Sequence, residues 1–179
     1  MHYASDIAIF SGVQGKVKPG RRSGCPVSIS LETLGDRWSL LIIRDLMVRG
    51  YTTFKQFEES DERIATNILS DRLRQLQRNG IITAERNRND RRRTSYRLTK
   101  KGIDLAPLLL ELLIWGAQHE KTMAPAELIA QMTQNRDGVV AEARRRWRER
   151  DSTPLIPSFA NNAAPPRRLK DNRTERTNR

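Results

Sequence analysis

The sequence predicts a mainly α-helical fold with a small β-hairpin: a winged helix-turn-helix followed by an additional C-terminal helical extension. Three observations carry this. "TTFKQFEES" and "IATNILSDRLRQLQRNG" read as a short helix, a tight connection and a longer helix ending in Asn-Gly. "IITAE" and "TSYRL" read as two short strands flanking the charged stretch "RNRNDRRR", which makes a hairpin with a basic tip. "IDLAPLLLELLIWGA" is apolar on nearly every side, so a helix there must be buried all round.

Taken in order, residues 1–24 include "SGVQGKVKPGRRSG", which lacks helical periodicity and reads as a flexible basic arm. "CPVSISLETLG" places Val27, Ile29, Leu31 and Leu34 along a short helix that Gly35 ends. In "DRWSLLIIRDLMVRG", Asp36 caps a second helix whose stripe is Trp38, Leu41, Ile42, Asp45, Leu46 and Val48. Phe54 and Phe57 share a face of the short third helix. After the hairpin, Thr99 is the expected cap of one helix reaching His119, with Pro107 inside it producing a kink. "AELIAQMTQNRDGVVAEARRRWRERD" reads as one or two further helices interrupted near Asn135–Gly138. Residues 152–179, including "NNAAPPRRLKDNRTERTNR", hold few core formers and are expected to be a disordered basic tail.

The 179 residues carry a formal net charge of +12, which points to nucleic acid or another acidic partner. Residues 60–101 hold 12 Lys/Arg against 5 Asp/Glu, and residues 136–179 hold 12 against 6. The stretch between them, 102–135, holds 1 against 4 and is very apolar, so it is expected to face protein. The single cysteine, Cys25, forbids an internal disulfide and suits a reducing compartment. No run approaches the roughly 18 apolar residues of a membrane span, and the N-terminus lacks a signal peptide's basic start and apolar run. A cytoplasmic location is expected. His2 and His119 are the only histidines, and no carboxylate pair, nucleophile elbow, phosphate loop or metal-ligand spacing occurs. No enzymatic activity, cofactor or metal is expected.

On a helical wheel, Ile64, Ile68, Leu69, Leu73 and Leu76 fill one arc of residues 64–78. Thr66, Asn67, Ser70, Asp71 and Arg74 fill the other. Hydroxyl, amide and guanidinium groups at the start of such a helix suit base edges in a major groove of double-stranded DNA. Arg72 falls inside the apolar arc, where its stem would pack and its head would bond a neighbouring helix or carbonyl, a reading favoured over a phosphate clamp at the edge of the interface. Arg91, Arg92 and Arg93, supported by Arg88 and Arg97, would contact phosphates or the minor groove. The competing readings are a solvated turn, or a module that binds nucleic acid non-specifically or docks a protein. An RNA reader is less well supported, because no aromatic stacking platform accompanies the charge.

From "CPVSISLETLGDRWSLLIIRDLM" to "SYRLTKKGIDLAPLLLELLIWG", the chain resembles the HxlR-type (DUF24) bacterial transcription regulators. The resemblance rests on a Cys-Pro opening, Gly-x-[Lys/Arg]-Trp at Gly35–Trp38, Leu-Ser/Thr-x-Arg-Leu-Arg at Leu69–Arg74, and Tyr-x-Leu-Thr-x-x-Gly at Tyr96–Gly102. It covers about residues 25–120. It implies a winged-helix fold, a homodimer and a palindromic operator, with DNA contacts on Thr66, Asn67, Ser70 and the wing arginines. It also makes Cys25 a candidate sensor, since some relatives use an N-terminal cysteine to detect quinones, aldehydes or oxidants. The direction of regulation is not implied.

The all-round apolar helix makes Leu108, Leu109, Leu112, Leu113 and Trp115 candidates for the dimer interface. The expected organisation is an arm at 1–24, a DNA-binding and dimerisation domain at 25–122, a helical extension at 123–151 and a tail at 152–179. Arg144–Arg146 and Trp147 of the extension would add phosphate contacts or pack on the partner subunit.

Overall fold

The computed structural model describes residues 24–86 and 94–156. Helix α1 (Pro26–Leu34) has a proline in its first turn, where no intrahelical donor is lost, and ends at Gly35. Helix α2 (Arg37–Arg44) is capped by Asp36, whose carboxylate accepts from the Trp38 and Ser39 amides at 3.1 and 3.0 Å. The chain then continues as a π-helical turn, Asp45–Arg49, closed by Gly50 in the left-handed region at φ 69°. That wider turn changes which residues reach the core. The expected 3.6-residue stripe holds for Ile42 and Asp45, but Ile43 and Met47 are also buried while Trp38, Leu41, Leu46 and Val48 are only half-buried.

Helix α3 (Phe54–Glu58) starts with a reciprocal capping box between Thr53 and Gln56. Its Phe57 is buried and meets the rings of Tyr51 and Tyr96 edge-on at 6.2 and 6.1 Å. Helix α4 (Thr66–Arg78) buries Leu69, Leu73 and Leu76. It begins at Thr66, so Ile64 is buried from the preceding turn rather than from the helix. Strands β1 (Ile82–Arg86) and β2 (Thr94–Leu98) pair antiparallel, from Ile82 opposite Leu98 to Arg86 opposite Thr94. A bridge between Thr53 and Ser95, with the Tyr96 amide donating to the Thr52 carbonyl at 2.7 Å, ties the hairpin to the start of α3.

The single kinked helix expected after the hairpin is two helices. Helix α5 (Lys100–Ile103), capped by the Thr99 hydroxyl, stops at Asp104, and α6 (Ala106–His119) starts afresh with Pro107 in its first turn. Proline has no amide to donate, so a helix start accommodates it at less cost than a kink. Gly102 explains the spacing of the Tyr96–Gly102 element: a Cβ there would sit 2.3 Å from the Ile81 carbonyl oxygen.

The extension forms α7 (Ala126–Gln134) and α8 (Arg136–Glu149), broken at Asn135, whose side chain caps α8. Helix α8 lies on α5, α6 and the π-helical turn, and Ala143 joins the main core with Ile43, Phe57, Leu69, Leu73 and Ile103. A second cluster gathers Leu110, Ile114, Met132 and Ile156. Residues 152–156, expected to belong to a disordered tail, are therefore packed structure. Ile156 is buried, the Leu155 amide donates to the Val48 carbonyl at 2.7 Å, and a Cβ on Gly50 would lie 2.0 Å from the Ser152 oxygen. Two apolar side chains in "STPLIPSF" were enough to anchor the segment.

Asp36 also receives Arg72 of α4, with Nε 3.2 Å from the carboxylate, so one side chain both caps α2 and holds α4. Asp36→Ala is expected to lower stability by about 1–2 kcal/mol, most of it the lost cap. Urea unfolding checks this; a midpoint unchanged from wild type would refute the double role.

Candidate nucleic-acid interface

Helix α4 is held from behind by its leucines and presents the opposite side outward. Thr66, Asn67 and Arg74 are exposed and Ser70 is half-buried. Among the described residues, none of these four side chains has a hydrogen-bond or ion-pair partner. Asp71 differs: it lies 3.3 Å from Arg72 and is half exposed, so part of its charge is neutralised within the helix. Arg72 packs as its position in the apolar arc suggested, reaching Asp36 and donating to Gln75 at 2.5 Å.

The start of α4 has a feature that sequence reasoning missed. Its N-cap is Ala65, which offers no side-chain acceptor. The first-turn amides are thus left to solvent or to an anion, and the helix dipole favours the anion. The signal was available as an alanine where Ser, Thr, Asp or Asn is the usual cap.

The turn before α4 is fixed by charge. Arg44 donates to Glu62 at 2.8 Å, and Arg49 approaches Asp61 at 3.7 Å. Both guanidiniums also meet the buried Asp45 carboxylate, at 2.8 and 3.3 Å. Burial pushes the Asp45 carboxyl above its ordinary value, and the Arg44 charge opposes that shift. Burial alone would lower the Arg44 pKa, but Asp45 and Glu62 outweigh it and keep the guanidinium charged. Arg63 takes a left-handed conformation at φ 51° as the chain turns into the helix.

The hairpin's last described pair is Arg86 with Thr94, so Arg88 and Arg91–Arg93 lie outside the described residues. Arg97, expected to support them, points elsewhere. It donates to the Trp147 carbonyl and covers the Trp147 ring, its guanidinium carbon 5.4 Å from the centroid. The Trp147 indole N–H donates to the Leu98 carbonyl at 2.7 Å, so α8 grips the second wing strand. A lone tryptophan in an arginine run was the sequence signal for that contact.

The expected phosphate or partner contacts of Arg144–Arg146 are likewise redirected within the chain. Arg145 and Arg146 share Glu142, at 2.6 and 2.8 Å, and Arg146 also donates to the Thr153 carbonyl at 2.7 Å. Hydrogen bonds from Arg145 and Arg146 pull the Glu142 carboxyl down to about 2. Arg144 lies 3.7 Å from Asp104. Among the interface candidates, Leu108, Leu112 and Trp115 are 44%, 45% and 57% exposed, whereas Leu109 and Leu113 are half-buried against their own core. Cys25 is exposed at the N-cap position of α1, where its carbonyl accepts from Ile29 at 3.0 Å. Among the described residues there is no group of three metal-ligating side chains, and no helix is long and apolar enough to cross a membrane.

The family model for the HxlR-like helix-turn-helix matches residues 33–124. The chain is 30% identical over 97 residues to the HTH-type transcriptional regulator YdeP of Bacillus subtilis, covering 54% of this chain and 75% of YdeP. It is 28% identical over 102 residues to YybR of the same organism, covering 57% and 81%. Among solved structures it is similar to PA1607, a proposed transcription factor, with a TM-score of 0.53 at 39% identity over 59% of this chain and 71% of that one. It is also similar to the redox regulator HypR in its oxidised form, with a TM-score of 0.50 at 27% identity over 55% and 100%.

If the uncapped start of α4 meets a phosphate, stability and affinity will separate in Ala65→Asp. The new cap is expected to stabilise the fold by about 1 kcal/mol, while its charge weakens DNA binding at least about tenfold. Thermal unfolding and duplex titration together check this, and undiminished affinity would count against the contact.

Proposed function

The chain belongs to the HxlR-like helix-turn-helix family of DNA-binding transcriptional regulators, and from that premise we propose that it acts as a homodimer on a palindromic operator. The observation that carries the reading is the α4 face. Thr66, Asn67, Ser70 and Arg74 are outward and uncommitted, while the leucines behind them lock the helix in place. Arg74 has the fork for guanine O6 and N7, and Asn67 has the paired donor and acceptor for adenine. Ser70 and Thr66 lie close enough along the helix to add single contacts, with Asp71 beside them. Arg91, Arg92 and Arg93 then bind backbone or minor groove, setting position and affinity without choosing sequence.

Dimerisation is supported by the stripe Leu108, Leu112 and Trp115, spaced at four and three residues on one side of α6. Val27 and Leu31 of α1 are also exposed, at 67% and 59%, which is unusual for so much aliphatic surface. A two-fold pair would set two α4 helices about one DNA turn, roughly 34 Å, apart. Leu109 and Leu113 take the supporting position behind the stripe.

Selection from a random duplex library tests the reading. A palindromic sequence is expected to be enriched, and Asn67→Ala is expected to cost about 1–3 kcal/mol and relax one position of it. Arg91→Glu/Arg92→Glu should lower the salt slope by about 2 while leaving the preferred sequence unchanged. Leu112→Asp should halve the mass in solution and abolish high-affinity binding. Salt-sensitive binding without an enriched sequence would instead indicate a non-specific nucleic-acid binder, and binding indifferent to the wing charges would indicate a protein-docking module.

A second reading concerns Cys25. Its exposure at the head of α1 and the similarity to the redox regulator HypR favour a thiol sensor. Being the only cysteine, it can be oxidised to a disulfide only with a second chain or a small thiol. Diamide, itself reduced to the hydrazine, is expected to join two chains through Cys25 or, with glutathione present, to form a mixed disulfide. Cys25→Ser should do neither. Equal operator affinity before and after oxidation would remove the sensing role.

A further inference from the structure

Between α2, α6 and α8 lies an aliphatic cavity of about 360 Å³ that the helix-turn-helix itself does not require. Its floor is formed by Met47, Ala106, Leu110, Ala143 and Ile156, each less than one-tenth exposed. The space opens to the surface, yet water gains little where the lining is almost entirely aliphatic carbon. The volume falls within the range of small-molecule sites.

We infer that this cavity binds an uncharged lipophilic small molecule, which acts as the regulator's effector. The charge state follows from Arg44, which among the described residues is the only charged one lining the space. Its Nε and Nη2 donate to Asp45 at 3.0 and 2.8 Å and its Nη1 to Glu62 at 2.8 Å, so among the described lining residues no uncommitted cation is left to pair with an anionic ligand. Thr122, exposed at the lining, supplies one hydroxyl for a single polar group on the ligand. A second chain on the Leu108 stripe would approach only the rim, through Leu112.

Two further observations place the site where it can regulate. Met47 and Val48 belong to the π-helical turn, and such turns recur at functional sites. The same turn carries Asp45, whose arginine partners hold the turn into α4. The wall opposite is built from Val139, Val140 and Leu155, which lie beyond residue 124, where the family match ends. The effector site is therefore a property of this chain's extension. Its regulatory consequence rests on the DNA-binding reading above; the binding site itself does not.

The full chain should be titrated with the neutral fluorescent lipophile N-phenyl-1-naphthylamine, without DNA. Saturable binding of one probe per chain is expected. Val140→Phe and Ala117→Leu, which fill the space from two walls, should each weaken it at least about tenfold while thermal unfolding stays cooperative. Leu108→Asp, on the outer stripe, should leave it unchanged. Absence of binding, indifference to both filling variants, or loss in Leu108→Asp would each overturn the site. The selected duplex then tests the effector role: probe saturation should shift its affinity at least about threefold, and equal affinity would overturn regulation through this cavity. Failure to select any duplex would overturn the DNA reading and leave the probe titration standing.

Discussion

A carboxylate buried in the π-helical turn that follows α2 sets the geometry on which the rest depends. Asp45 is 3% exposed, and a lone charge there would be costly to desolvate. Arg44 and Arg49 meet that cost, and each guanidinium then reaches past Asp45 to a second acid, Glu62 or Asp61. Those acids sit in the turn between α3 and α4. The buried charge is thus a bracket that fixes how the second helix of the motif leaves the first. The π-helical turn belongs to the same arrangement, because it lets Asp45 face inward between two arginines while Ile43 and Met47 also reach the core. At the other end of α2, Asp36 performs the matching task with Arg72. With both ends of α2 tied to α4 or to its approach, the leucine side of α4 needs only apolar packing.

Once that frame is rigid, the distribution of charge decides what the surface does. A net of +12 suggests positive charge everywhere, yet much of it is spent inside the chain. Arg145 and Arg146 share Glu142, Arg97 covers Trp147, and Arg136 pairs with Glu111 at 2.7 Å. Exposed pairs of this kind stabilise little but hold arginines in place. Within α4, Arg72 is committed to Asp36 while Arg74 and Arg78 have no such partner among the described residues. Local commitment, more than regional charge, decides which arginines remain open to a partner outside the chain.

This also explains what was legible in the sequence. Element order, the Asp36 and Thr99 caps, the leucine arc of α4 and the hairpin strands all follow from local pattern, because each is determined within one or two turns of chain. The register of α2 beyond Arg44 was not legible, since a π-helical turn breaks the period on which any wheel relies. Pro107 inside one long apolar run predicts a kink; the chain instead stops α5 at Asp104 and lets the proline begin α6. The partners of Arg97 and Arg144 lie far along the chain, at Trp147 and Asp104, while Arg145 and Arg146 meet Glu142 in the preceding turn, and neither kind of commitment shows in a count of arginines. The face of α4 was found by position, and its uncapped start was missed because the wheel describes side chains and the open groups are backbone amides.

The extension is the part of the molecule that neither the pattern of a winged helix nor the family match accounts for, and its packing shows why it cannot be treated as an appendage. Ala143 lies in the same core as Leu69 and Leu73 of α4, and Ile156 closes a second cluster against Leu110 and Ile114 of α6. Trp147 bonds the carbonyl of Leu98, at the base of the wing, and Leu155 bonds the carbonyl of Val48, in the π-helical turn. One segment therefore touches the wing, the recognition helix's core and the turn that carries Asp45. Any force that moves α8 must be felt at all three, because close-packed interiors transmit displacement instead of absorbing it. In this helix-turn-helix the hairpin, the core behind α4 and the π-helical turn thus share one packed layer supplied by the extension.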